Sequence, residues 1–423
     1  MSRQQLAVML DDSSEGEASL GKTVQVGMLS CDRSGSREAV SFSYAPEWLH
    51  SPRAFAIDPE LQLGAGAYHP GRDRSLFGIF RDTAPDRWGR VLMERREAIE
   101  AEKEKRKAQR LSDWDFLIGV SDFTRMGALR LKEIDGEQHY IDSRERSAPP
   151  MARLRELEAV ARELSKQGAE DRPEYEQWLR QLFAPGSSLG GARPKASFST
   201  EEGALWMAKF PASDDRRDVG AWEFLAHRLA ADAGIAVPAS QLLAFNGPYR
   251  TFAVQRFDRL PGTRRLYASA MTLLGRTDGE QGSYVEIAQT IQDQGDPAGL
   301  NDDLAELYRR VLFSVLIGNR DDHFRNHGFL RTAGGWRLAP AFDINPNPDK
   351  AEHALAIDES DPRPSVAHLR ATHAYYRLSA LQAQRIEAEV RASVDRWRLL
   401  ADELKLSRSV QSQLETVIDP GVE

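Results

Sequence analysis

The chain has 423 residues, too many for one compact core, so two or three packed units are expected. Lys and Arg number 56 against 64 Asp and Glu, a net charge of −8, which excludes a nucleic-acid binder working through a basic surface of its own. Cys31 is the single cysteine, which excludes an intrachain disulfide and a cysteine-built metal centre. Hydrophobic residues at 41% and charged residues at 28% are the ordinary mixture of a globular chain. The apolar run at 311–317 falls far short of a membrane span. The apolar core within residues 1–10 is too short for a signal peptide, so a cytoplasmic location with no membrane contact is expected.

In chain order, residues 1–20 contain Asp11-Asp-Ser-Ser-Glu-Gly-Glu17 and read as a disordered tail. Val24/Val26/Met28 and Val40/Phe42/Tyr44 alternate with polar residues, which predicts two strands joined at Asp32-Arg-Ser-Gly35. A helix is expected from Arg90 to about Arg110, its mixed charges forming a solvated face, and another over 151–167 after the break Ser147-Ala-Pro-Pro150. Residues 196–200 and 204–210 read as a hairpin turning at Glu201-Glu-Gly203. Leu205, Met207 and Lys209 share one face of its second strand, so Lys209 points inward and needs an anionic partner. Trp222, Leu225, Leu229 and Ala233 form the apolar stripe of a helix that Gly234 stops, with Glu223 on the edge of the stripe. A second hairpin spans 241–245 and 249–257 and turns at Asn246-Gly247. After Arg259-Leu-Pro-Gly262 the chain reads mostly helical. The expected domains are thus a tail at 1–20, an N-terminal subdomain at 21–146, a lobe at 147–262 and a helical lobe at 263–423.

The chemistry concentrates further on. A helix over 304–317 ends at Gly318 and delivers Asn319-Arg-Asp-Asp-His-Phe-Arg-Asn326, followed by a hairpin turning at Thr332-Ala-Gly-Gly335 and then Ala341-Phe-Asp343. Pairing centred on that turn sets Asn326 opposite Ala341 and Asp343 opposite Phe324, so Asp321, Asn326 and Asp343 are expected to converge. Two carboxylates and an amide oxygen without thiols suit Mg²⁺. Asp321-x-x-x-x-Asn326 also has the spacing of a kinase catalytic loop, with Asp343 placed where that template puts its metal-binding aspartate. Phosphoryl transfer asks the protein mainly to position the nucleophile and neutralise phosphate charge, and Lys209 with Glu223 would supply the other half.

Ser188-Leu-Gly-Gly-Ala-Arg-Pro-Lys195, Gln255-Arg-Phe-Asp-Arg259, Gly318-Asn-Arg-Asp-Asp-His-Phe-Arg-Asn326 and Leu338-Ala-Pro-Ala-Phe-Asp343 resemble the HipA-type serine/threonine kinases, toxin components of HipBA-like toxin–antitoxin systems. The likeness runs from about Thr23 to about Arg398, and Phe77-Gly-Ile-Phe-Arg-Asp-Thr-Ala-Pro-Asp-Arg-Trp-Gly89 resembles the family's small N-terminal domain. The resemblance implies an α+β, bilobal, protein-kinase-like fold with its nucleotide between the lobes. By it, Asp321 is the catalytic base, His323 the catalytic-loop histidine, and Asn326 and Asp343 hold Mg²⁺. Lys209 contacts the phosphates of ATP. Gly190, Gly191 and Ala192 belong to the phosphate-binding loop, and Gln255, Phe257 and Asp258 lie at the adenine. Ser188, or the adjacent Ser187, is the autophosphorylated serine. The implied partners are a HipB-like antitoxin, through which DNA is met, and a protein substrate such as an aminoacyl-tRNA synthetase. Two departures stand out: Arg193-Pro194 in the loop, and Arg325 in place of the usual catalytic-loop lysine. Asp321-x-His323-x-x-Asn326 also resembles the loop of phosphoinositide kinases, so a small-molecule or lipid kinase is kept as the alternative, as is a non-catalytic adaptor.

Overall fold

The computed structural model describes residues 2–12, 23–35, 37–134, 139–141, 148–166, 168–183, 193–245, 247–260, 262–419 and 422. The fold is α+β. The chain divides into two compact units, one of Met1–Asp214 with Asp258–Ala268, the other of Asp215–Phe257 with Ser269–Glu423. The expected 147–262 lobe is therefore shared between the two.

The first unit opens on an antiparallel sheet of four strands. Ser2–Leu10 lies between Val24–Ser34 and Leu129–Glu133, and Arg37–Tyr44 extends the far side of Val24–Ser34. This corrects the tail reading for residues 2–10, which form an inner strand of the sheet; residues 13–20 lie outside the described residues. Leu6, Val8 and Leu10 alternate with period two and are all buried. Burying three aliphatic side chains, at about 1.5–3 kcal/mol each, outweighs the polarity around them. The helix expected from Arg90 begins earlier, at Arg87, where the Asp86 carboxylate caps it by accepting from Gly89 N at 2.8 Å. It ends at Lys103 rather than near 110, as Lys105 takes a left-handed φ of 54°. The hairpin Lys195–Ser199 and Leu205–Lys209 forms as expected, with Lys195 opposite Lys209 and Ser197 opposite Met207.

In the second unit, the helix Val219–Asp232 buries Trp222, Leu225 and Leu229. A Cβ at Gly220 would lie 2.2 Å from Arg250 O, so only glycine admits this approach of helix to hairpin. That hairpin pairs Ser240–Leu243 with Thr251–Gln255. The helix Leu300–Ile317 carries the core, with Leu304, Leu307, Val311, Leu312, Phe313 and Leu316 fully buried, and Gly318 closes it at φ 67°. The hairpin that follows, Gly328–Arg331 with Trp336–Leu338, has the expected register, Phe329 opposite Leu338 and Arg331 opposite Trp336. Its ladder stops short of Asn326 and Ala341. Pro340 has no N–H to donate, and the N–H of Ala341 is spent on Ala236 O at 2.8 Å. Phe324–Asn326 consequently forms a 3-10 turn, and Asp343 lies in irregular chain instead of opposite Phe324.

Candidate functional site

Asp321 and Asp322 are neighbours in sequence with opposite fates. The chain leaves the long helix at Gly318, and the loop it enters points one carboxylate outward and the next inward. Asp321 is exposed, and its backbone oxygen accepts from Asn326 Nδ2 at 3.4 Å, which ties the two ends of the D-x-x-x-x-N loop together. Asp322 is buried, and its Oδ2 accepts from Tyr284 Oη at 2.9 Å and Ser314 Oγ at 3.3 Å. Its Oδ1 lies 3.1 Å from His327 Nε2. Burial by itself would raise this carboxyl, but His327 and Tyr284 outweigh it and hold Asp322 below the usual carboxylate range. Asp322 is therefore the anchor of the loop, and Asp321 is the carboxylate turned toward solvent. Asn319, Asp322, Asn326, His327, Phe342 and Ile344 line a narrow cleft beside it. His323 is half-buried and starts the 3-10 turn, its carbonyl accepting from Asn326 N at 2.8 Å.

Asp343 has φ 59°. Among the described residues three other non-glycine residues have positive φ, and each follows the end of a helix or 3-10 turn, where a left-handed residue is routine: Lys105, Arg377 and Lys405. Asp343 follows no helix. Backbone strain of about 1–3 kcal/mol, retained where no cap requires it, marks a position whose side-chain direction matters. Asp343 Oδ1 accepts from Asn345 Nδ2 at 3.3 Å, and Asn345 N donates to Asn319 Oδ1 at 3.3 Å. Asp343 is thus linked, through one asparagine, to the residue two before Asp321. The long helix fixes the approach. Its Asp303 takes Arg337 at 2.9 and 3.1 Å and Leu338 N at 2.9 Å, and its Arg310 donates to Ala339 O at 2.8 Å.

The segment after Asp343 contributes His353, which burial pushes down to about 4. Its folded value lies below the ordinary 6.5, so it favours folding at neutral pH. That contribution is lost as pH falls from about 6.5 to about 4, where only the unfolded chain takes the proton, and amounts to roughly 3 kcal/mol. Asp58 in the first unit, raised by burial to about 6, acts with the opposite sign over nearly the same window. Comparing wild type with His353→Gln isolates the histidine. The denaturation midpoint of the variant should fall less between pH 7 and pH 4.5, and equal slopes would refute the assignment.

In the first unit, Lys209 is 7% exposed on its strand, inward as expected. Directly across the ladder, Lys195 points to the same face and makes a 2.6 Å ion pair with Asp86, their side chains 1% and 3% exposed. Sequence reasoning passed over this pair. The signals were present in the alternation Lys195/Ser197 and in an Asp placed to cap the helix Arg87–Lys103. Asp258, expected at the adenine, is fully buried in the first unit and accepts from Gly127 N at 2.8 Å and Arg259 Nη1 at 2.6 Å. In the second unit Gln255 is half-buried, Phe257 packs on Phe342 with ring centroids 5.4 Å apart, and Glu223 is buried. Ser187, Ser188, Gly190, Gly191 and Ala192 lie outside the described residues.

As for Mg²⁺, no group of three or more His, Cys, Asp and Glu side chains among the described residues forms a metal cage. Mg²⁺ commonly takes only one or two carboxylates and completes its shell with phosphate oxygens and water, so the oxygen donors of the half-buried Asn326 and Asp343 suit it. No described helix is long and apolar enough to cross a membrane.

Residues 187–398 match the family description "HipA-like C-terminal domain", and residues 20–132 match "HipA N-terminal domain". The chain belongs to the HipA family. Among its relatives are a Sinorhizobium fredii protein described as a candidate kinase, Y4dM, and the serine/threonine-protein kinase toxin HipA of Shewanella oneidensis. Y4dM is 25% identical over 51% of this chain and 56% of its own length. The Shewanella toxin is 26% identical over 38% of this chain and 43% of its own. The chain spans about half the length of the curated relatives it matches. The fold matches a Shewanella oneidensis structure of HipA with HipB and operator DNA, with a TM-score of 0.66 and 18% identity over 97% of this chain and 94% of that one. Within this HipA-family chain, Lys195, Lys209, Asp321, Asn326 and Asp343 all fall in the C-terminal-domain match, and Asp86 falls in the N-terminal one. The buried Asp86–Lys195 pair therefore bonds one HipA domain to the other.

Proposed function

We propose that this HipA-family chain is an ATP-dependent kinase that transfers the γ-phosphoryl group to a serine or threonine of a protein. The observation that carries the reading is the loop of the second unit. It holds Asp321 outward on the buried anchor Asp322, ties it to Asn326, and links it through Asn319 and Asn345 to a strained Asp343. In this reading Asp321 accepts the proton of the acceptor hydroxyl, Asn326 and Asp343 hold Mg²⁺, and Lys209 binds the phosphates of ATP. Mg²⁺ supplies charge neutralisation on the phosphates when bound. The exposure of Asp321 supports its part, because a carboxylate that meets a protein hydroxyl has to be reachable.

The Shewanella HipA was solved with HipB and operator DNA, and a HipB-like antitoxin is the partner proposed for this chain, with DNA met through that complex. The net charge of −8 supports the indirect route to DNA. The proposed substrate class includes aminoacyl-tRNA synthetases, and Ser188 is the proposed site of self-modification. Purified protein incubated with γ-labelled ATP, Mg²⁺ and cell extract should move label into protein. Label appearing only in low-mass products would favour a small-molecule or lipid kinase, and no transfer at all would refute the kinase reading. Intact mass after the same incubation should show one added phosphate, lost in Ser188→Ala. A HipB-like protein should comigrate with the chain in gel filtration, and two separate peaks would count against the partnership.

A further inference from the structure

Lys350 lies seven residues beyond Asp343, in a stretch without regular structure, and its ammonium donates to Asp321 Oδ1. Four hydrogen bonds bind that stretch to the loop bearing Asp321. Asn345 N donates to Asn319 Oδ1 at 3.3 Å, Asn347 N to Gly318 O at 2.8 Å, Arg320 Nη1 to Lys350 O at 2.6 Å, and Ala354 N to Arg320 O at 3.1 Å. The backbone of Lys350 is thus fixed directly against the loop, while its side chain stays 45% exposed and that of Asp321 57% exposed. A pair this open to water adds little to stability, so the fold gives no reason for holding it so firmly.

Arg325, four residues after Asp321 in the loop, is turned elsewhere. Its guanidinium forms a two-point bond with Asp278, both contacts at 2.7 Å. We propose that Lys350 is a catalytic residue that donates to the γ-phosphoryl oxygens during transfer, taking the place beside Asp321 that Arg325 leaves vacant. This rests on the kinase reading above. In the step, the acceptor oxygen bonds to the γ-phosphorus as the bond to the β–γ bridging oxygen breaks, and that electron pair leaves on ADP. The hydroxyl proton passes to the Asp321 carboxylate. Lys350 stays protonated throughout and shifts its hydrogen bonds from the carboxylate, as that loses its charge, to the equatorial oxygens, where charge is spread. A compact ammonium on a flexible stem can make that shift without rebuilding the loop.

The test uses the full chain with Lys350→Met and Lys350→Arg, melting midpoints being recorded for each. Label transfer gives kcat and KM for ATP, and titration gives affinities for ADP and for ADP with aluminium fluoride, which imitates the transferring group. Lys350→Met should lower kcat about 100-fold with KM for ATP little changed. It should weaken ADP–aluminium fluoride by a comparable factor and leave ADP unaffected. Lys350→Arg should recover much of the rate. A kcat in Lys350→Met equal to or above wild type would overturn the proposal, the second outcome making Lys350 a mask over Asp321. So would equal weakening of both ligands, which is the mark of a structural role. If the wild type itself transfers no label, the kinase reading falls and the proposal with it. Label transfer by Lys350→Met at the wild-type rate removes only the role of Lys350.

Discussion

Asp321→Asn should lower kcat for phosphoryl transfer by about 10³-fold, or about 4 kcal/mol, while melting midpoint and KM for ATP stay close to wild type. An amide has nearly the shape of a carboxylate but does not take the hydroxyl proton. Asp321 is exposed and its side chain supports nothing in the core, so the loss should be purely one of rate. The residue beside it provides the control. Asp322 is buried among Tyr284, Ser314 and His327, so Asp322→Asn should cost about 3 kcal/mol of stability. Label transfer together with urea denaturation of both variants decides the matter. Comparable loss of rate and unchanged stability in both would mean that burial does not divide the roles of the two aspartates.

The second large effect belongs to Asp86 and Lys195. Asp86→Asn removes the carboxylate that meets the buried Lys195 ammonium and weakens a helix cap, and should cost about 3–5 kcal/mol. Lys195→Met should be the milder change, and its cost should depend on pH. Burial already raises the Asp86 carboxyl against the pull of Lys195, and without the lysine it rises further. A folded value above the unfolded one means the carboxyl is tolerated at low pH and penalised as pH climbs through it, so Lys195→Met should lose more stability at pH 8 than at pH 5. The double variant should cost less than the two singles added together, by an interaction energy on the order of 1–3 kcal/mol. Additive costs, measured by denaturation midpoints, would show that the two groups do not act as a pair. Because Asp86 falls in the N-terminal HipA match and Lys195 in the C-terminal one, loss of the pair should also make limited proteolysis between the two regions faster.

Much of the candidate site was legible because its information is local. The spacing Asp321-x-x-x-x-Asn326, the stop at Gly318 and the turn Thr332–Gly335 each depend on a few consecutive residues, and the hairpin adopts the register that its turn dictates. The inward face of Lys209 followed from period two in the same way. What failed was longer in range. The first ten residues read as a tail because their polar ends and the acidic stretch after them dominate the composition. Their place in the sheet depends on Leu129–Glu133, more than a hundred residues away. The strand pairing of Asn326 with Ala341 failed because Ala236 claims the backbone N–H of Ala341.

The sequence by itself determined the residue types of the site, their order along the chain and the alternation that turns Lys209 inward, since all of these are properties of neighbours on a chain with fixed backbone geometry. Only the tertiary structure decided which of two adjacent aspartates faces water, that Lys195 meets Asp86, and that Lys350 reaches Asp321 while Arg325 goes to Asp278. Each of those choices sets the cost of burying a charge against the gain from a partner remote in sequence, and that balance has no value until the chain has folded and brought the partner near.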